Sequence, residues 1–452
     1  MFAIQRIATR ALLASAAVLI ALNAQAAVPI EHWTLSNGAQ VWLASVDSLP
    51  ILDLQLDFDA GSRRDPEAQA GLASVTAGMI EKGIRAAPAS GPYPKAMDEN
   101  ALGEAWADLG ASFDAGAGPE RTSFSLRTLS DPALLDKAVA LAAREIGEPS
   151  FPEDVWKRER ERIGAAIKEA NTKPDTVAAR TFSQAVYGSH PFGAEVTEES
   201  LARIDTAVMR TRYEQLIAPC RAKLSIVGAV TRPQAEAIAM TLMSRLPAQP
   251  AGCVALPVVP EVMPLTGAKE ERVPFDSAQA HVYIGEPGYP RSDPDHFALT
   301  LGNYVLGGGG FVSRLTEQVR EKRGLAYSIY SGFAPGLHAG AFRIGFQTRP
   351  DQADQAVKLS REVLEKFVAE GPTEAELKAA KDNLIGGFPL LLDSNRKLLG
   401  NVANIAWYGL PLDYLDTWTT RMNAITTADI KAAYQRKLHP QRMVTVILGA
   451  KE

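Results

Sequence analysis

Several things are scarce in this 452-residue chain, and each scarcity removes a class of function. Only two cysteines are present, Cys220 and Cys253, too few to make a zinc site by themselves. The six histidines, His32, His190, His281, His296, His338 and His439, never fall within ten residues of each other. No helix can therefore carry a pair of imidazole ligands one turn apart. Basic residues are not in surplus: 47 Lys and Arg stand against 52 Asp and Glu. Without a basic stripe, nucleic acid is not an expected partner. No apolar stretch reaches membrane-spanning length.

The N-terminus has its own character. Arg6 and Arg10 precede an apolar run from Ala11 to Leu22, and Ala24-Gln25-Ala26 puts small residues at a cleavage position. This pattern reads as a secretory signal peptide over residues 1–26, the apolar run being too short to span a bilayer. Losing Arg6 and Arg10 with the leader leaves 45 basic against 52 acidic residues. An exported, soluble, periplasmic protein is expected, with no membrane contact after cleavage. An oxidising compartment would let Cys220 and Cys253 pair and staple the segment between them. Two buried thiols fit the sequence equally well.

The chain also repeats itself. Ile204, Tyr213, Pro219 and Gly228 recur as Ile425, Tyr434, Pro440 and Gly449, each 221 residues on. Tyr187-Gly188 recurs as Tyr408-Gly409 at the same interval, and Asp65-Pro66 as Asp293-Pro294 at 228. The small drift is what loop insertions and deletions produce, at little entropic cost. A period this long means two domain-sized copies rather than a solenoid. Five prolines between residues 247 and 264 mark an extended linker. The expected organisation is thus a leader over 1–26, one copy over 27–246, a linker over 247–264 and a second copy over 265–452.

Each copy opens with strand-like alternation, as in Ile51, Leu52, Leu54, Leu56 and Phe58, followed by a turn and a helix. The first helix is expected over about 67–81, and its counterpart over about 295–306. Closing strands are expected at 223–227 and 443–448. Residues 84–99 have no counterpart in the second copy and read as an inserted loop. The fold class is α+β: two homologous domains, each an antiparallel-rich sheet packed with helices.

Two segments carry a resemblance. The turn Gly61-Ser62-Arg63-Arg64-Asp65-Pro66 leads into Gly71-Leu72-Ala73, and the second copy contains the run from Gly307 to Tyr330. In these the chain resembles the pitrilysin/insulinase zinc peptidases, the inverzincins. Active members of that family place H-x-x-E-H directly after such a Gly-Leu-Ala. Two histidines four apart ligate one zinc ion, and the Glu activates its water. Here those positions read Ser74, Ala77 and Gly78, and the family's third ligand aligns at Ala166, with Ala165 beside it. The resemblance therefore implies a chain whose metal set has been vacated, with no catalytic metal of its own.

The resemblance also implies a retained function. An Arg and a Tyr seven apart in the family's second domain bind the substrate peptide opposite the zinc, and Arg320 and Tyr327 match that spacing. Both are donors able to stabilise the charge that develops on a carbonyl oxygen under attack. The alternative is a solvated helix charge and a core aromatic. Arg314 and Arg323 read as surface or ion-pair residues. Gly307-Gly308-Gly309-Gly310 lacks the Gly-Lys-Ser/Thr of a phosphate loop and reads as a hinge or a substrate-facing loop.

Three functions follow. One is a non-catalytic subunit of a heterodimeric peptidase whose homologous H-x-x-E-H partner carries the zinc and whose substrate is a peptide. A second is an inert family member acting as a structural or peptide-binding subunit of a larger complex. A third, a serine hydrolase through Ser74, lacks the strained G-x-S-x-G elbow and an adjacent histidine.

Overall fold

A computed structural model describes residues 28–87, 92–247 and 253–450. The expected leader lies outside the described residues, as do the tip of the insertion and residues 248–252 of the linker.

Two mixed sheets hold the molecule. The first contains β1 (Ile30–Thr34), β2 (Gln40–Ser45), β3 (Ile51–Phe58), β6 (Ser112–Ala117), β7 (Thr122–Leu129) and β8 (Lys223–Gly228), in the order β1-β2-β8-β3-β7-β6. The second contains β9 (Lys269–Val273), β10 (Ala280–Pro287), β11 (Ile329–Phe333), β12 (Ala341–Thr348) and β13 (Val444–Leu448), in the order β11-β12-β10-β13-β9. Setting β1 aside, the orders correspond strand for strand. In each sheet the chain-closing strand pairs parallel with the opening strand and antiparallel with the next, β8 with β2 and β3, β13 with β9 and β10. The duplication legible in the sequence is thus a duplication of topology. The insertion after Ile84 forms a small ladder of β4 (Gly83–Ile84) with β5 (Met97–Asp98).

Alternation in β3 buries Leu52, Leu54, Leu56 and Phe58 in the first core. The opposite face carries Asp53 and Asp57, which a half-solvated strand would expose. Both are buried, because helix Asn395–Tyr408 from the second half covers that face. Arg127 lies 3.0 Å from Asp53 and Arg121 3.1 Å from Asp57. Burial raises both carboxyl pKa values, and the guanidiniums oppose the shift. The exchange is mutual. Helix Pro174–Tyr187 of the first half packs on β10 and β13, seating Phe182 and Val186 against Val444 and Val446. The repeated Tyr-Gly pairs are the C-terminal ends of these two crossing helices.

The linker runs as a strap over the first half. Cys220 and Cys253 are bonded, with Cα atoms 5.8 Å apart, closing the pairing that the sequence left open. His190 is structural, as its place beside Pro191 suggests. Its Nδ1 accepts from the Phe192 N–H at 3.1 Å, leaving Nε2 to donate to the Pro260 carbonyl at 3.0 Å.

Candidate functional site

The first helix begins later than the sequence suggests, spanning Leu72–Ile80 after a short turn at Glu67–Gln69. Its start is set by Gly71, which adopts φ 99°, and by Asp65, which caps from outside the helix. The Asp65 carboxylate accepts from the backbone N–H of Gly71 at 3.2 Å and of Ala73 at 3.1 Å. Burial pushes this carboxyl up to about 6, against the pull of those N–H groups and of Arg212.

On this helix Ser74 and Gly78 share an exposed face one turn apart, and a Cβ at Gly78 would meet open space. Ala77 is buried and borders a void of about 20 Å³ with Thr76. Ala166 is exposed on helix Glu153–Ala170. None of the four offers an imidazole, thiolate or carboxylate, so these positions do not fit a zinc ion. Among the described residues, no group of three or more His, Cys, Asp and Glu is arranged to hold a metal.

The second half holds the other predicted cluster. Arg320 lies in a wide helical turn, Thr316–Glu321. Its guanidinium sits 5.2 Å from the Tyr327 ring centroid and 4.6 Å from that of Phe311. Tyr327 is 81% exposed and Phe311 69%. Tyr327 is therefore no core aromatic, and Arg320 is a stacked cation on an open surface. Arg320 Nε is also 3.3 Å from Glu321. Phe311 was not singled out from the sequence. An aromatic directly after four glycines was the available signal, and it went unread because its contact depends on the turn that follows.

The neighbours of this cluster are structural. Arg314 donates to both Glu376 carboxylate oxygens at 2.7 Å, and Glu376 is held down to about 2 by that arginine and the Thr373 bonds, despite burial. Arg323 donates to the Gln318 carbonyl. The glycine run, expected as a loop, instead continues helix His296–Asn303 as a wide turn through Gly308. Gly307 is buried, and a Cβ there would lie 2.5 Å from Ser331 Oγ. A Cβ at Gly309 would lie 2.6 Å from the Tyr304 carbonyl, and Gly310 takes φ +61°. Close packing and one left-handed residue account for the run, with Gly308 and Gly310 exposed.

Comparisons with known proteins give the family and the fold. Residues 43–200 match the insulinase (peptidase family M16) model, and residues 203–384 match the peptidase M16 inactive domain. The second match begins within the first half, since β8 belongs to the first sheet. A solved structure from Pseudomonas fluorescens, described as a peptidase M16 inactive domain, is 32% identical with a TM-score of 0.86, over 94% of this chain and 98% of that one. The non-peptidase homolog YmxG of Helicobacter pylori is 24% identical over 84% of this chain and 85% of its own. A Bacillus subtilis relative named as an uncharacterized zinc protease, YmxG, is 26% identical over 83% of this chain and 88% of its own. The periplasmic protease PqqL of Escherichia coli shares the fold at a TM-score of 0.78 and 19% identity, with 94% of this chain covering 46% of that one. The chain belongs to the M16, or insulinase, peptidase family.

Proposed function

We propose that this protein is the non-catalytic subunit of an exported heterodimeric M16 peptidase. The observation that carries the reading is the pairing of an exposed Arg320–Tyr327 stack with the vacated positions Ser74, Ala77, Gly78 and Ala166. A homologous partner with an intact H-x-x-E-H supplies zinc, water and general base. Arg320 and Tyr327 donate to the scissile carbonyl oxygen, where negative charge grows during attack. The substrate is a peptide laid along a sheet edge, and β11, the edge strand of the second sheet, begins two residues after Tyr327. The Cys220–Cys253 bond is consistent with an oxidising, periplasmic setting.

The test is reconstitution. The purified chain alone should not cleave peptides, and an exported H-x-x-E-H partner that co-purifies with it should restore turnover. In that complex, Arg320→Ala and Tyr327→Phe should each lower kcat by roughly 10²–10³, the usual cost of one oxyanion donor. Zinc-dependent hydrolysis by the chain alone would refute the assignment. A second reading, an inert structural or peptide-binding subunit, draws support from the relative named as a non-peptidase homolog. It wins if the chain co-purifies with a complex in which both substitutions leave peptide turnover unchanged.

A further inference from the structure

The strap is fixed at two places that differ in chemistry. Its first stretch is held by groups that do not titrate near neutral pH: the Cys220–Cys253 bond, Arg221 on the Val254 carbonyl at 2.7 Å, and Arg64 on the Pro257 carbonyl at 2.8 Å. Its second stretch, residues 258–261, is held by imidazoles. His190 Nε2 donates to the Pro260 carbonyl at 3.0 Å, and Nδ1 of His338, from the second half, lies 3.0 Å from the Glu261 carboxylate. Val258, Val259 and Pro260 form one wall of a cleft of about 650 Å³ beneath the strap.

The two histidines form one unit. Their ring centroids are 5.8 Å apart, both residues are buried, and Phe192 packs edge-on against each. Neither ring nitrogen of His190 is spare. Nε2 carries the proton given to Pro260, and Nδ1 accepts from the Phe192 N–H at 3.1 Å. A second proton can enter only at Nδ1, where it would face that N–H and break the bond. The surroundings oppose it further. Arg63, on the turn Ser62–Arg64, faces His190 as a like charge, itself matched by Asp59 at 2.8 Å. Tyr187, at the end of helix Pro174–Tyr187, adds a neutral ring. Glu261 is the acid that faces the pair, and its side chain is 71% exposed, so water screens its pull. Burial holds His190 below the usual imidazole range; the Pro260 carbonyl opposes the shift and His338 adds to it.

We infer that His190 and His338 form an acid-released latch on the strap. Neutral, they hold residues 258–261 against the body of the protein. Protonated, they let that stretch lift and open the cleft, while the disulfide keeps the strap attached. The direction follows from proton binding. The latched form takes up its proton at a lower pH than a free imidazole, whose ordinary value is 6.5. Below that pH the lifted form binds more protons, so acid favours it progressively. The latch is independent of the proposed peptidase role, because it needs neither a partner subunit nor turnover.

The experiment is NMR of the deuterated, disulfide-intact chain between pH 7.5 and pH 5, following the imidazole signals and the relaxation dispersion of the strap amides, which detects minor lifted states. The lifted population of residues 258–261 should rise roughly tenfold over that interval, as one depressed imidazole dictates. Val254 and Ala255, beside the disulfide, should not respond. His190→Gln keeps a donor for the Pro260 carbonyl without a titrating ring, and should lose most of the tenfold change. His338→Gln removes the neighbouring like charge and should weaken the response; it guards against a folding defect in the His190 variant, with both checked by thermal melting. A strap equally mobile at both pH values, a rise shared by strands β3 and β10, or a wild-type response in the His190→Gln chain would overturn the inference.

Discussion

Glu145 is a carboxyl in the wrong place for an ordinary one. It is 1% exposed on helix Pro132–Gly147, and the Trp106 indole N–H donates to it. Burial pushes its pKa up to about 8; the indole opposes and nearby Glu81 adds to the rise. The folded state therefore holds a proton that the unfolded chain releases near its ordinary value of 4.5. Between those two values the folded state binds more protons, so stability falls as pH rises and levels off above about 8. Glu145→Gln keeps an acceptor for Trp106 without a titrating group. It should flatten that slope and stabilise the protein at pH 7 by on the order of 3 kcal/mol. Urea melts of both proteins at pH 5, 7 and 8.5 measure this, and parallel pH profiles would show that Glu145 is not the titrating group. Nothing in the sequence marks Glu145, because its burial depends on Trp106, 39 residues away.

Among the elements, the strap departs most from its expected character. The sequence reads it as an extended linker, yet from Cys253 onward it is tethered by a disulfide, by Arg64 and Arg221, and by His190. The disulfide was one of the two readings that the cysteines allowed, but the side-chain tethers were illegible because they join residues 33 to 193 positions apart. Elements whose cause is local were easier to place. Strand β3 follows from alternation, and closing strands β8 and β13 fall within a residue of their expected bounds. The Leu72–Ile80 helix starts later than expected because the Asp65 carboxylate caps it from across the intervening turn, a contact that adjacency in sequence does not mark. Closing a 33-residue separation, the Cys220–Cys253 bond should stabilise by roughly 3–4 kcal/mol if chain entropy dominates. The double substitution Cys220→Ala/Cys253→Ala should lower the denaturation midpoint accordingly and raise the m-value, because the unfolded chain is then free to expand. An unchanged midpoint would mean that the side-chain tethers hold the strap unaided.

At the scale of the whole molecule, the duplication could be read from the 221-residue repeat, but the way the copies interlock could not. Each half gives a helix to the other half's sheet, and each sheet has adapted to the helix it receives. The first sheet offers Asp53, Asp57 and Lys223, and the Lys223 ammonium meets the carbonyls of Ala406 and Trp407 at the C-terminal end of the incoming helix. The second sheet offers an apolar seat for Phe182 and Val186. A half on its own would leave Asp53 without Arg396, leave Asp53 and Asp57 without the covering helix, and uncover Phe182 and Val186 on the other crossing helix. Cutting at Gly267, which is exposed and unhindered, keeps the disulfide and strap with the first half. Residues 27–266 and 267–452 expressed separately should then be poorly soluble or lack cooperative unfolding, whereas co-expression should yield a one-to-one complex that melts cooperatively. Arg121→Ala removes both the 3.1 Å contact to Asp57 and the 3.0 Å bond to Asn404 on the crossing helix. It should weaken that complex while leaving the uncut chain folded, because covalent connection supplies the effective concentration that the separate pieces lack. Two halves that each unfold cooperatively alone, with melting temperatures matching the intact chain, would show that the crossing helices are ornaments on independent domains rather than the means by which either half completes its core.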